Sequence, residues 1–342
     1  MSIASFRTRG LRLAAACVFA TSALVAASLA PVRAEPVKLR IGYDVIPIHI
    51  IPVIFKMPQF LKNYGKDYTI EWFRFKGSPL QVQALAGNQI DLAALAFSTF
   101  ATSITTAHLP IKGVADLAQD GPWYSQNFAV KKDSPIKKVE DLKGKTVAVN
   151  AFGGATDMAV RTALVKHGLT PDKDVRIIEA SFGAMGAMVR AGKIDVGSFP
   201  APQWSVAEKA GDLRALFRQS DGLGDQQFLL YAAKTDFIAK ERKVLVAYFE
   251  DYLRGLKAVL DPKNRDSVLK VMSQESGAPI RTFDQWALLK GKDYYHSPDG
   301  KINVTALQNN INSLKELGLL KESLDVKPHI DNSLVEEAAK HL

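Results

Sequence analysis

One short stretch of the chain occurs twice. Ala86-Gly87-Asn88-Gln89-Ile90-Asp91-Leu92 returns as Ala191-Gly192-Lys193-Ile194-Asp195-Val196, shorter by one residue. Each copy joins the end of a helical pattern to the start of an apolar run, and Lys38 and Lys145, which open two further apolar runs, lie at nearly the same offset. Ala-Gly endings are common helix punctuation, so the match alone is weak; the agreement in register over a longer unit points to two corresponding lobes.

The elements around both copies alternate between strand and helix. Val37-Lys38-Leu39-Arg40-Ile41-Gly42-Tyr43 alternates apolar and polar residues, as a half-buried strand does. A helix is expected over about 52–63 and a strand over 68–75. Another helix follows, with Ser78 as N-cap, Pro79 at the first helical position, Gln81 completing a capping box and Gly87 as terminator. The continuous apolar run 92–97 reads as a buried parallel strand, and Ser98-Thr99 opens a helix to about His108. The pattern restarts with strands at 146–150, 175–179 and 196–199 and helices at 155–167 and 182–191.

These readings predict an α/β protein of two Rossmann-like lobes with mixed sheets, joined by two hinge crossings. The turn-rich connection 120–125 is the first crossing, and 220–227, with Gly222 and Gly224, is the return. A strand at 228–233, a helix at 237–260 and shorter helical pieces follow. The expected boundaries are a leader at 1–34, the first part of lobe 1 at 35–121, lobe 2 at 122–224, and the lobe 1 return at 225–342, whose C-terminal helices pack back on lobe 1.

The leader carries Arg7, Arg9 and Arg12 ahead of an Ala/Leu/Val run, then Val32-Arg33-Ala34 as small-residue cleavage site, which reads as a cleaved export signal and a periplasmic address. A lipid anchor at Cys17 is the alternative. Cleavage leaves 40 basic against 35 acidic residues, a formal charge of +5 where the full chain has +9. That mild charge suits anionic ligands and does not call for nucleic acid. Cys17, the single cysteine, leaves with the signal, so neither a disulfide framework nor a thiolate metal cluster is available.

In open α/β sheets ligands lie beyond the carboxyl ends of strands, where helix starts expose backbone N–H groups. That rule selects the loop 44–49 with Tyr43, Ile48 and His49; Ser78; Phe97, Ser98 and Thr99; the crossing residues Trp123 and Tyr124; Asn150 with Gly153, Gly154, Ala155 and Thr156; Phe182; and Trp204. Ser78 and Ser98 also read as caps, His49 as a solvated loop histidine, and each aromatic by itself as core. Taken together, the aromatics Tyr43, Phe97, Trp123, Phe152, Phe182 and Trp204 suggest an apolar wall for an organic ligand. Catalytic motifs are absent: there is no G-x-S-x-G, H-E-x-x-H or P-loop, and the six histidines have no ligand spacing. No cofactor, no metal and no enzymatic activity are expected.

From about 38 to 230 the chain resembles the periplasmic solute-binding proteins of ABC importers of the nitrate/sulfonate/taurine type. The resemblance is carried by Leu39-Arg40-Ile41-Gly42-Tyr43, Gly77-Ser78-Pro79, Asp141-Leu142-Lys143-Gly144-Lys145-Thr146-Val147-Ala148-Val149, Gly168-Leu169-Thr170 and the two repeat copies. It implies a type II binding-protein fold, a monomer, a small organic anion held by loop amides and hydroxyls at Ser78, Ser98, Thr99, Gly154, Ala155 and Thr156, and a membrane permease as partner. Two departures stand out: the loop 45–52 is unusually apolar, and no arginine or lysine stands clearly at a cleft loop to clamp a sulfonate. The rival class is the thiamine-pyrimidine synthases, of similar fold, whose clustered cysteines this chain lacks; a ligand-sensing module for a membrane receptor is a third.

Overall fold

Leu39 and Ile41 turn inward from strand β1 (Val37–Tyr43) and are fully buried. Strand β1 lies parallel to β2 (Tyr68–Arg74), paired from Val37 with Tyr68 to Tyr43 with Arg74. The computed structural model describes residues 35–44, 50–121 and 123–342. The expected leader, with Cys17, and the site candidates Ile48 and His49 lie outside the described residues. In place of a helix over 52–63 there is a single turn, Ile51–Ile54, and a 3-10 turn, Pro58–Phe60. Pro58 cannot continue a helix, and the chain beyond it is tied down from outside: the buried Asp251 carboxylate accepts from the backbone N–H groups of Lys62, Asn63 and Tyr64 at 2.7–2.9 Å.

Strands β3 (Ala93–Ala96) and β4 (Ile111–Asp120) flank a strand from much later in the chain, Gln226–Lys234, which runs antiparallel to both. The expectation of a parallel strand over 92–97 is therefore corrected: its sheet partner runs antiparallel, and the parallel register is limited to a bridge between Leu92 and Ile41. Two helices belong to this part, α1 (Ser78–Ala86) and α2 (Phe97–Thr105).

The second group of strands forms one five-stranded sheet. Its members are β5 (Asn127–Lys131), β6 (Thr146–Val149), β7 (Arg176–Glu179), β8 (Val196–Phe199) and β9 (Leu213–Arg218), in the order β7-β6-β8-β5-β9. Strands β7, β6 and β8 are parallel, and β5 is antiparallel to β8 and β9. Helices α3 (Ala155–Lys166), α4 (Phe182–Arg190) and α5 (Ala201–Ala210) follow β6, β7 and β8. The strand Gln226–Lys234, β10, leads into the long helix α6 (Thr235–Leu260). Strands β4, β5 and β9 have no counterpart in the sequence reading.

Apolar residues divide accordingly. One cluster joins Leu39, Leu95, Val114 and Leu230 with Phe249 of α6 and with Leu307 and Leu334 near the C-terminus. The five-stranded sheet has a cluster on each face, because its strands alternate: Phe128, Val147 and Val149 go to one and Ala129 and Ala148 to the other. The repeated sequence also has a repeated local structure. Asp91 accepts from Arg40 N–H at 2.8 Å and returns its own N–H to Arg40 O at 2.7 Å; Asp195 makes the same exchange with Thr146, both at 2.9 Å.

Candidate functional site

The loops after β2, β6, β7 and β8 open toward the same region, as the strand-end rule expects. Ser78 does not cap α1. Gly77 occupies the cap position, and the Ser78 hydroxyl accepts from Ala96 N–H at 2.9 Å, holding α1 to β3. Gln81 makes no capping box either, since its Oε1 accepts from Ala94 N–H at 2.8 Å. Ser98 likewise falls inside α2, whose cap position is Ala96. These hydroxyls and amides satisfy buried groups of strand and loop, which outweighs a cap that water can replace.

Between the two strand groups, the Ser98 and Thr99 hydroxyls donate to Gly153 O at 3.3 and 3.1 Å, and Asn150 Nδ2 donates to Lys76 O at 3.2 Å. Two glycines permit this approach. A Cβ at Gly77 would lie 2.8 Å from the Cβ of Ala151, and Gly153 has a φ of +74°, a conformation that favours glycine.

A small cavity of about 40 Å³ lies behind these contacts. Ser78 and Ala96 line it from one side, Asn150, Gly154, Ala155, Thr156 and Phe182 from the other, with Asp44, Gln126, Phe228 and Leu229 completing the wall. The fully buried Gln126 side chain accepts a long bond from Tyr294 Oη at 3.4 Å, while its Nε2 has no partner among the described residues. Outside it lies a groove of about 590 Å³ lined by Arg74, Lys76, Glu179 and Gln203, with Asp44, Asn150 and Phe182 common to both spaces.

Other candidates lie elsewhere. Tyr43 meets Trp72 edge-on at 6.0 Å, Trp123 meets Tyr295 at 5.0 Å with Lys290 Nζ over its ring, Tyr124 meets Tyr294 at 5.1 Å, and Trp204 meets Phe199 at 6.5 Å. Phe97 is fully buried core and Phe152 is exposed. None of these lines the two cavities, so the expected aromatic wall reduces to Phe182, with Phe75 and Phe228 added.

Charge at the groove also differs from expectation. Arg74 and Lys76 line it, whereas the sequence reading saw no cation at a cleft loop. Arg74 ends β2 and donates from Nε to Asp44 O at 3.2 Å. The strand-end rule applied to β2 would have found both. Burial pushes the Asp44 carboxyl up to about 7, against the opposing pull of Arg74. Such a group carries a proton at mildly acidic pH and then adds no negative charge to the groove.

The description "NMT1/THI5 like" matches residues 75–265, more than half of the chain. Among solved structures, an alkanesulfonate-binding protein SsuA from Xanthomonas axonopodis pv. citri, bound to MOPS, superposes with a TM-score of 0.68 at 21% identity, covering 87% of this chain and 99% of that one. The periplasmic nitrate-binding protein NrtA from Synechocystis PCC 6803 gives 0.71 at 17% identity, covering 90% and 89%. A desulfurization enzyme, DSZB, gives 0.62 at 13% identity, covering 89% and 99%. These similarities establish the mixed α/β fold of periplasmic binding proteins, and the chain belongs to the NMT1/THI5-like family.

Proposed function

We propose that this protein is the exported solute-binding component of an ABC importer, and that its cargo is a small organic anion, a sulfonate or carboxylate with an apolar or aromatic body. One observation carries the ligand class. Gln126 Nε2 is a buried donor without a partner among the described residues, and Gln126 lines the same cavity as the first residues of α3, where backbone N–H groups point outward. An unmade buried hydrogen bond costs about 1–3 kcal/mol, which an acceptor oxygen from a ligand recovers.

The inner cavity has room for a polar head group, and the outer groove has the volume of an ordinary organic-ligand site. Phe182 lines both and offers an apolar face. The crossings at 121–126 and 219–225 would act as the hinge, and ligand touching both lobes would favour the closed form by its differential affinity for that state. The closed form would then dock on a membrane permease. The leader reading supplies export, and the SsuA and NrtA structures supply precedents for anion capture on this fold. Isothermal titration of residues 35–342 with alkyl and aryl sulfonates, carboxylates and nitrate tests the reading; saturable binding of one class supports it, and heat only from a pyrimidine contradicts it.

A second reading, an enzyme on the same scaffold, draws on Asp44: a cleft carboxyl held near neutrality beside an arginine is also how a general acid is built. Incubating protein with the tightest ligand and analysing products by mass spectrometry separates the two, since an importer subunit returns its ligand unchanged.

A further inference from the structure

The site has a second unmade hydrogen bond, of the opposite polarity. Gln203, the third residue of α5, has its Oε1 buried and without a partner among the described residues. This oxygen does not belong to the inner cavity. Gln203 lines the outer groove and also a neighbouring cavity of about 430 Å³, and Arg74, Phe182 and Gly183 line both as well. Inner cavity, groove and outermost cavity therefore follow one another, with Phe182 on the wall of all three.

Polarity changes along this path. Gln126, whose Nε2 has no partner among the described residues, lines the inner end, and Gln203, whose Oε1 has none, lines the outer junction together with Arg74. A plain anion satisfies the first and leaves the second unmade. A molecule with oxygen acceptors at one end and an N–H or O–H at the other satisfies both.

Resting on the binding-protein reading above, we infer that the cargo is an elongated organic anion that also bears a hydroxyl or amino group, with its anionic head at Gln126 and the start of α3, its body on Phe182, and its donor on Gln203 Oε1. Gln203 is then the residue that selects among anions of the same head and size. A site built around a buried acceptor rejects analogues that lack the donor, because the acceptor stays desolvated and unpaired.

The test uses residues 35–342 and two shape-matched pairs, 4-hydroxybenzenesulfonate against 4-methylbenzenesulfonate and 4-hydroxybenzoate against 4-methylbenzoate, by isothermal titration. In one pair at least, the wild type should bind the hydroxyl member about tenfold more tightly. Gln203→Leu should erase that preference by weakening the hydroxyl member alone, with an unchanged melting temperature excluding loss of fold. Equal affinities within each pair, or a Gln203→Leu variant that weakens both members alike, overturn the inference and leave the binding-protein reading standing. Silence from all four compounds and from the wider anion set overturns both.

Discussion

The Thr156 hydroxyl donates to Asn150 Oδ1 at 2.6 Å, and this fixes which way the asparagine amide points. With its oxygen held at the start of α3, Asn150 turns its Nδ2 across to Lys76 O at 3.2 Å. A residue at a helix start thereby orients a side chain that spans the two strand groups.

Thr156→Val keeps shape and removes the donor. The Asn150 amide should then lose its fixed orientation and anion affinity should fall about tenfold, since one well-placed hydrogen bond is worth about 1 kcal/mol or somewhat more. Titration of the variant beside the wild type checks this. Unchanged affinity would remove Asn150 from the site.

Asp44 predicts how binding depends on pH. Its carboxyl is raised to about 7 by burial, and it lines both the inner cavity and the groove. Below about 7 it is neutral; above, it places a negative charge beside an anionic ligand. Anion affinity should therefore fall between pH 6 and 8, and Asp44→Asn should flatten the profile. Arg74, Lys76 and Glu179 share the groove with it. A wild-type profile that is flat over the interval would contradict this role for Asp44.

The duplicated aspartates allow an internal comparison. Asp91 receives Arg40 Nε and Nη2 at 3.0 and 2.6 Å in addition to the backbone exchange, whereas Asp195 has the backbone exchange with Thr146, whose side chain can supply no such fork. Asp91→Ala should cost about 2 kcal/mol, partly discounted because Arg40 is about one-third exposed, and Asp195→Ala about 1 kcal/mol. Urea unfolding of the two variants measures the difference, and a larger loss for Asp195→Ala would refute the ranking.

Much of the α/β alternation is legible in the sequence because its strands carry uninterrupted or alternating apolar patterns, as in Ala93–Ala96 and Val37–Tyr43. Strand β4 is not, because buried Asp116, Gln119 and Asp120 and a glycine interrupt its pattern, and these polar groups are satisfied by distant partners such as Gln227 and Ser297. Strands β5 and β9 lack clean alternation. Of the residues that line the inner cavity, Asn150, Gly154, Ala155 and Thr156 belong to the loop and helix start that the sequence singles out by its glycines and its threonine. Gln126 and Gln203 were not legible, since a glutamine beside a strand or early in a helix reads as solvated until the fold shows its amide buried. The caps at Ser78 and Ser98 failed because a hydroxyl's local option yields to buried partners that sequence spacing does not display.

If an anion stabilises this fold through the inner cavity, as proposed, a thermal-shift series on residues 35–342 with sulfonates, carboxylates, nitrate and pyrimidines will register it. A ligand at 100 times its Kd adds about 2.7 kcal/mol, enough to raise Tm by several degrees. At least one organic anion should give such a rise, and Gln126→Leu should lose it. A shift with pyrimidines and none with anions, or an anion shift that Gln126→Leu retains in full, would contradict the proposal.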